Sequence, residues 1–308
     1  MLQRVQTIAL AAYRESVRAR ILLGLAGVAF AVSVFSLVIA SFTLNNAPRV
    51  VSDLGAASIS IFGIAVAIVI GATSLYRELE QKTIFPILAR PIGRGEYVVG
   101  KYLGLMLTLG VFIAADSGLV LCLCSVISGA SAGLVLGVGV GLAVVLGALA
   151  YKFAWFRTFG FIPWAIAFLV AGAVLAGNAP DERRLVLTSA FLSFLEIGII
   201  AAFANLLSSF SSPFLSALLT VGVWIIGRSA DSLDRFPKQY FGSISDVAKV
   251  FGKLVPNLQL YVPPRPLLTG EAPVDRVDYV LLATGTAVGW SIGMLALAVL
   301  IFRRRDFL

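Results

Sequence analysis

The stretch Gly95–Tyr102, GEYVVGKY, comes close to a nucleotide-binding motif. It fits the P-loop pattern G-x-x-x-x-G-K-[ST] at every position but the last, where Tyr102 replaces the hydroxyl that would bind Mg²⁺. A working P-loop also follows a hydrophobic strand, whereas ARPIGR precedes this stretch and places Pro91 and Gly93 there. No acidic partner strand of the Walker B type occurs elsewhere. We therefore expect no nucleotide site in this chain and no directly bound cofactor.

Few other residues have the chemistry of a catalytic or metal site. The chain has no His, which removes the commonest general base and the commonest transition-metal ligand. Cys122 and Cys124 lie two residues apart in an apolar run, so on a helix they point to different faces. This spacing predicts neither a disulfide nor a metal site.

Two acidic residues, Asp116 and Glu196, lie within long apolar runs. An ionised carboxylate at the centre of a membrane helix costs roughly 2.5–3.5 kcal/mol, so each must face protein or water. Each could line a translocation path or make an interhelical polar contact, with Ser117 or Asn205 as a neighbour. A third possibility is that the two form a carboxylate pair in an intramembrane enzyme that acts on lipid or peptide.

The elements that position these residues are apolar helices. The chain has 308 residues, of which 59% are hydrophobic and 13% charged, against about 25% charged in a typical soluble domain. A membrane span needs roughly 20 apolar residues. We therefore predict an all-α, polytopic helical membrane protein with about eight hydrophobic segments, at 21–42, 58–76, 102–128, 133–150, 161–178, 185–207, 213–228 and 277–302.

The cationic residues predict the orientation of these segments. With the N-terminus in the cytoplasm, the short inner segments hold fourteen Lys and Arg and the short outer loops hold three. This asymmetry follows the positive-inside rule and predicts both termini in the cytoplasm. Because Lys and Arg gather at the ends of apolar runs, the net charge of +8 does not indicate nucleic acid.

The remaining segments have distinct predicted roles. Residues 1–20 place apolar residues at helical spacing among four Arg and predict an amphipathic helix in the membrane interface, in contact with lipid. Residues 21–228 hold the spans, with a charged inner loop at 77–101. Residues 229–276 form an extracytoplasmic loop with short helices, and residues 277–308 form the last span and a cytoplasmic tail.

The inner loop resembles a known family signature. Tyr76–Lys101, YRELEQKTIFPILARPIGRGEYVVGK, contains an acid pair, a Thr, a Pro–small–Arg step and a Gly–Lys pair that opens the third span. This combination resembles ABC-2 type transporter permeases. VSDLGAASISIFG, SSFSSPFLSALLTVGVWIIG, the PNL of Pro256–Leu258 and the terminal IFRRRDF are similar to that family at matching places. Within the family, the chain looks most similar to the permease of the nitrous-oxide-reductase maturation system.

This resemblance implies a type V exporter-like fold with six family spans, to which residues 133–178 add an inserted helical hairpin. The glycine-rich first half of that hairpin, 133–150, favours tight helix–helix packing in lipid. It also implies a homodimer of permease chains in the bacterial inner membrane and two copies of an ABC ATP-binding subunit, which carry ATP and Mg²⁺. The inner loop would then contain the coupling helix that docks on the ATPase. The matching positions are Glu78, Glu80, Lys82, Thr83, Pro86, Pro91, Arg94 and Lys101.

Other interpretations of the same residues remain open. Arg94 and Lys101 could instead anchor the loop to lipid headgroups. The chain as a whole could be a membrane partner of an ATPase that moves no solute. The leading hypothesis is a permease subunit that couples ATP hydrolysis on another subunit to export of an unidentified substrate.

Overall fold

The computed structural model describes residues 2–43, 46–80, 93–234, 255–269 and 275–304. These residues are almost entirely helical and contain no strand. The long helices are α1 (Leu2–Arg18), α2 (Arg20–Ser41), α3 (Ala47–Glu80), α4 (Arg94–Ile127), α5 (Ala132–Lys152), α6 (Phe161–Leu175), α7 (Pro180–Ser208), α8 (Pro213–Arg228) and α9 (Arg276–Arg304). Short helices cover Phe156–Phe159, Ala176–Asn178, Ala230–Asp234, Leu258–Tyr261 and Arg265–Thr269.

The predicted polytopic all-α architecture is confirmed. Seven described helical segments are long and apolar enough to cross a membrane: α2 to α5, α7, α9, and α6 together with its short neighbours over Phe156–Asn178. The remaining apolar helix, α8, has only 16 residues. Each of the eight predicted hydrophobic segments therefore corresponds to a helix, although one is shorter than a usual span.

Two helices extend well beyond their apolar runs into the predicted inner loop. α3 continues to Glu80, and α4 begins at Arg94 rather than at residue 102. The start of α4 is fixed by a cap, because the Glu96 carboxylate accepts a hydrogen bond from the Gly93 amide (3.1 Å). All of GEYVVGKY thus lies in the first turns of a helix and does not form a phosphate-binding loop.

The core of the bundle consists of α3, α4 and α7, which bury most of their apolar residues against one another. α2, α6 and α9 pack around this core, and α1 lies across the beginning of α4. We call the end of the bundle where α1 lies, α3 ends and α4 begins the α1 end. The opposite end holds the start of α7 and the described parts of 229–276.

Two close helix contacts depend on glycine. A Cβ on Gly104 of α4 would overlap the Ala9 carbonyl oxygen and lie 2.6 Å from Ala12 Cβ, so α1 approaches α4 only because that position has no side chain. A Cβ on Gly172 of α6 would lie 2.7 Å from the Gly118 carbonyl oxygen. Such small-residue contacts are typical of membrane helices.

The glycines of α5 behave differently from the sequence-based expectation. Their abundance predicts tight helix–helix packing, but a Cβ at Gly137, Gly139, Gly141 or Gly147 would meet no atom within 4 Å. The expectation is therefore wrong within this chain. Of the two long helices in residues 133–178, which the sequence predicts to be an inserted hairpin, α6 contacts the core through Gly172, while α5 leaves nearly its whole surface exposed.

Candidate functional site

A buried carboxylate and an arginine form the strongest polar contact within the spans. The Glu196 side chain on α7 has no solvent exposure. Arg228, the last residue of α8, donates from Nε to Glu196 Oε1 (2.7 Å) and from Nη2 to Glu196 Oε2 (2.8 Å). Arg228 Nη2 also lies 2.8 Å from Ser60 Oγ on α3. The two-pronged ion pair with its serine therefore connects three helices.

The turn between α7 and α8 brings these residues together. Ser212 caps α8 by accepting a hydrogen bond from the Leu215 amide (3.4 Å), and Pro213 occupies the first helical position, where its missing N–H costs nothing. The resulting hairpin returns the chain antiparallel to α7. The end of α8 consequently lies near the depth of Glu196.

A cavity of about 240 Å³ lies beside this ion pair, toward the opposite end. Arg265 stands at another part of its wall and contacts Asp53 Oδ1 on α3 (2.6 Å) and Glu182 Oε1 on α7 (3.2 Å). Two arginines and several hydroxyls thus face one space. The full lining is Asp53, Ala56, Ala57, Ser60, Ile61, Leu185, Ser189, Ser193, Arg228, Tyr261, Val262, Pro263, Arg265 and Leu268.

Tyr261 seals this end of the bundle by packing a short helix onto α9. Its hydroxyl donates to the Ala283 carbonyl (3.1 Å) and contacts Thr286 Oγ1 (3.0 Å). Burial raises the pKa of Tyr261 above its ordinary value, which further favours the protonated hydroxyl.

The second intramembrane acid, Asp116, is also fully buried, but its partner is a neutral side chain. Ser33 Oγ on α2 donates to Asp116 Oδ1 (2.9 Å). Asp116 thus makes an interhelical polar contact between α4 and α2. The suggested neighbours are wrong: Ser117 Oγ has no described hydrogen-bond partner, and Asn205 donates to the Val98 carbonyl (3.4 Å).

Asp116 and Glu196 share no hydrogen-bond partner among the described residues. Asp116 contacts α2, whereas Glu196 contacts α3 and α8. This separation gives no support to a shared carboxylate pair of the kind an intramembrane hydrolase would use. Within the described ranges, no three His, Cys, Asp or Glu side chains converge on a point that could hold a metal ion.

At the α1 end, the positions that match the family signature fall into those whose side chains the structure describes, Arg94 and Lys101, and the rest. Glu78 and Glu80 occupy the last turn of α3, where only the backbone is described, while Lys82, Thr83, Pro86 and Pro91 lie outside the described residues. Arg94 begins α4 and donates to the Phe302 carbonyl of α9 (3.4 Å). Lys101 is nearly buried, and its Nζ lies 2.9 Å from Glu15 Oε2 of α1.

The Lys101 contact is one that neither sequence-based interpretation included. Its side chain is 6% exposed and ties α1 to α4, so at this position the ammonium group faces the protein interior. Tyr13 also connects α1 to the short helix Phe156–Phe159, because its hydroxyl donates to the Thr158 carbonyl (3.3 Å) and its ring stacks on Phe159. Burial raises the pKa of Tyr13 to about 12.

These features define a class: a multi-pass helical membrane protein with a buried glutamate paired to an arginine of a neighbouring helix and a connection between the second and third spans at the α1 end. Comparison with known families identifies the particular one. The model of the ABC-2 family transporter proteins matches residues 5–307, and the chain belongs to this family. Its members are generally the permease components of ABC transporters.

The match is to the family as a whole. It does not support the narrower resemblance to the permease of the nitrous-oxide-reductase maturation system. No curated protein matches the chain.

Proposed function

We propose that this chain is the transmembrane permease subunit of an ABC transporter and that ATP hydrolysis on a separate subunit drives its substrate across the bacterial inner membrane. The family match over residues 5–307 carries this proposal. The seven candidate spans, with α8 as a shorter eighth helix, supply the membrane-embedded part. The ATPase supplies the nucleotide site, with its ATP and Mg²⁺.

The contact with the ATPase would lie at the α1 end, which the positive-inside asymmetry assigns to the cytoplasm. α3 ends at Glu80 and α4 begins at Arg94, so the connection that holds the proposed coupling helix begins and ends there. Glu78 and Glu80 would pair with cations of the ATPase, and Pro86 and Pro91 would fix the geometry of the connection. Two ATPase copies and a second permease copy would complete the transporter.

The described helices offer a route from that contact to the opposite end. α3 is a continuous helix of 34 residues, about 50 Å long. It carries Glu80 at one end, Ser60 midway and Asp53 near the other end. A displacement of its last turn by the ATPase would therefore reach both the Arg228 and the Arg265 ion pairs. ATP binding would shift the population between two arrangements of these contacts.

The experiment tests the ATPase contact directly. The full chain is co-expressed with a candidate ATP-binding subunit, which we expect to be encoded by a neighbouring gene. Co-purification and the ATPase rate are then measured for the Glu78→Lys/Glu80→Lys double variant. The matched control is Asp181→Lys/Asp278→Lys, which reverses two exposed acids at the opposite end. We expect loss of co-purification in the first variant only.

Two outcomes would contradict the proposal. One is equal retention of the ATPase by both double variants, which would place the contact elsewhere. The other is an ATPase that stays bound but drives no flux into proteoliposomes for any solute that stimulates its hydrolysis. That second outcome would favour a membrane partner that moves no solute.

A further inference from the structure

A large groove at the α1 end belongs to none of the contacts described above. It has a volume of about 1030 Å³ and runs between α1, the beginning of α2 and the last apolar turns of α3. One part of its wall is apolar and the other part is cationic. The apolar part is formed by Leu10, Ile21, Val69, Ile70 and Phe159, and the cationic part by Arg14, Arg18 and Arg20.

The positive charge of the groove is not balanced by the residues around it. Arg14, Arg18 and Arg20 are exposed, and none of them forms an ion pair with a described residue. Glu15 is the one acid among the described lining residues, and its carboxylate is engaged by Lys101 Nζ at 2.9 Å. Three guanidinium groups therefore remain available for an anion.

The groove also lies at a defined depth. The apolar run of α3 ends just before Arg77, and the groove contacts residues close to that end, namely Val69, Ile70, Thr73 and Ser74. The span of α2 begins at Arg20. The arginines consequently lie where the spans end, and the apolar wall extends from there into the spans. This is the arrangement of headgroup and acyl chain in a phospholipid, whereas a free anion would leave the apolar wall uncovered.

We propose that this groove is a binding site for one anionic phospholipid. Its phosphate is held by Arg14, Arg18 and Arg20, which can offer two-pronged hydrogen bonds to phosphate oxygens. One acyl chain lies against Val69 and Ile70. The lipid fills the space between α1 and α3 and so joins the amphipathic helix to the span that leads into the inner loop. This inference needs only a membrane-embedded chain and does not depend on the proposed ATPase.

The test measures lipid-dependent stability of the full chain in detergent. A thiol-reactive dye reports thermal unfolding, because the only two cysteines, Cys122 and Cys124, are buried. Short-chain phosphatidylglycerol, short-chain phosphatidylcholine and inorganic phosphate are titrated separately, and the rise in Tm gives an apparent Kd for each. We expect phosphatidylglycerol to stabilise the chain at far lower concentration than phosphatidylcholine, and phosphate alone to have no comparable effect.

The Arg14→Gln/Arg18→Gln/Arg20→Gln variant separates this site from general charge effects. Each juxtamembrane arginine changes affinity for anionic lipid about fivefold, so we expect the Kd for phosphatidylglycerol to rise about 100-fold. The Kd for phosphatidylcholine should stay as it is. The control Arg49→Gln/Arg183→Gln/Arg184→Gln removes the same charge at the opposite end and should retain the wild-type preference.

Three results would overturn the proposal: an unchanged Kd in the first variant, an equal loss in the control, or an equal response to phosphatidylcholine or phosphate. If the triple variant does not fold, the salt dependence of lipid binding by the wild-type chain provides the test. Raising salt from about 0.05 to 0.5 M screens exposed charges and should abolish the preference for phosphatidylglycerol. A preference that persists at high salt would equally overturn it.

Discussion

Among single substitutions of Ser60, Glu196 and Arg228, replacement of Arg228 by Met should destabilise the chain most. Glu196 has no solvent exposure, so the variant leaves a carboxylate buried without its cation. Removal of one partner of a buried ion pair typically costs 3–5 kcal/mol. Because the Arg228 side chain is 24% exposed, we expect the lower end of that range, about 3 kcal/mol.

Two related variants should lower the free energy of unfolding by less, each for its own reason. In Glu196→Gln the amide oxygen can still accept a hydrogen bond from Arg228, so we expect a loss of about 1–2 kcal/mol. The double variant Glu196→Leu/Arg228→Met removes both charges and leaves apolar side chains of similar size. It should therefore lie within about 1 kcal/mol of the wild type, because removal of a whole buried pair is often neutral.

The assay is thermal unfolding with the thiol-reactive dye, at one scan rate for all variants. With a shift of about 2–4 °C for each kcal/mol, Arg228→Met should lower Tm by about 6–12 °C. The control is Arg184→Met, since Arg184 is exposed and lies 4.0 Å from Asp181, a pair expected to contribute little. The single variant Glu196→Leu closes the double-mutant cycle. A loss in the double variant equal to the sum of the losses in Glu196→Leu and Arg228→Met would refute the reasoning, because it would show that Glu196 and Arg228 do not stabilise each other.

Further predictions concern the other described contacts. Gly104→Val should cost about 1–3 kcal/mol by forcing α1 off α4, whereas Gly137→Val, in open space, should leave Tm nearly unchanged. Asp116→Asn should change the free energy of unfolding by less than about 1 kcal/mol, since an amide oxygen accepts the same hydrogen bond; a large fall in Tm would show that the charge itself is needed. Tyr13 has a pKa raised from 10.0 to about 12, so its stabilisation is complete below pH 10 and is lost toward pH 12. Tyr13→Phe should therefore show a smaller fall of Tm over that interval, and an identical fall would contradict the assignment.

The sequence was sufficient to predict the fold class and the number of apolar helices, because membrane spans are long and nearly free of charge. It could also have supplied the partner of Glu196. α7 and α8 form a hairpin around residues 209–212, so an antiparallel return places residue 225 level with residue 196. Arg228 lies three residues further, about 4.5 Å along the axis, which its long side chain can cover.

The other contacts have no such signal. Ser33 and Asp116 are 83 residues apart, and Glu15 and Lys101 are 86 residues apart, on helices whose packing is not fixed by a short turn. Composition alone also gives a wrong prediction for α5, because glycine permits close packing without requiring it. Gly104 and Gly172 make close contacts, whereas the glycines of α5 do not, and the difference depends on which neighbouring helix is within reach.

The position of α3 explains why the polar contacts lie where they do. A helix that is apolar on all sides could slide or rotate against its neighbours at little cost, since lipid and protein interiors are equally apolar. Ser60 and Asp53 instead give α3 directional contacts with Arg228 and Arg265, and these contacts define a particular register. If α3 moves during transport, those contacts must break and re-form together, so the two arrangements would be discrete states rather than a continuum. The Glu196→Leu/Arg228→Met variant should accordingly keep its stability but lose tight coupling between ATP hydrolysis and flux, and intact coupling in that variant would exclude this role for the ion pair.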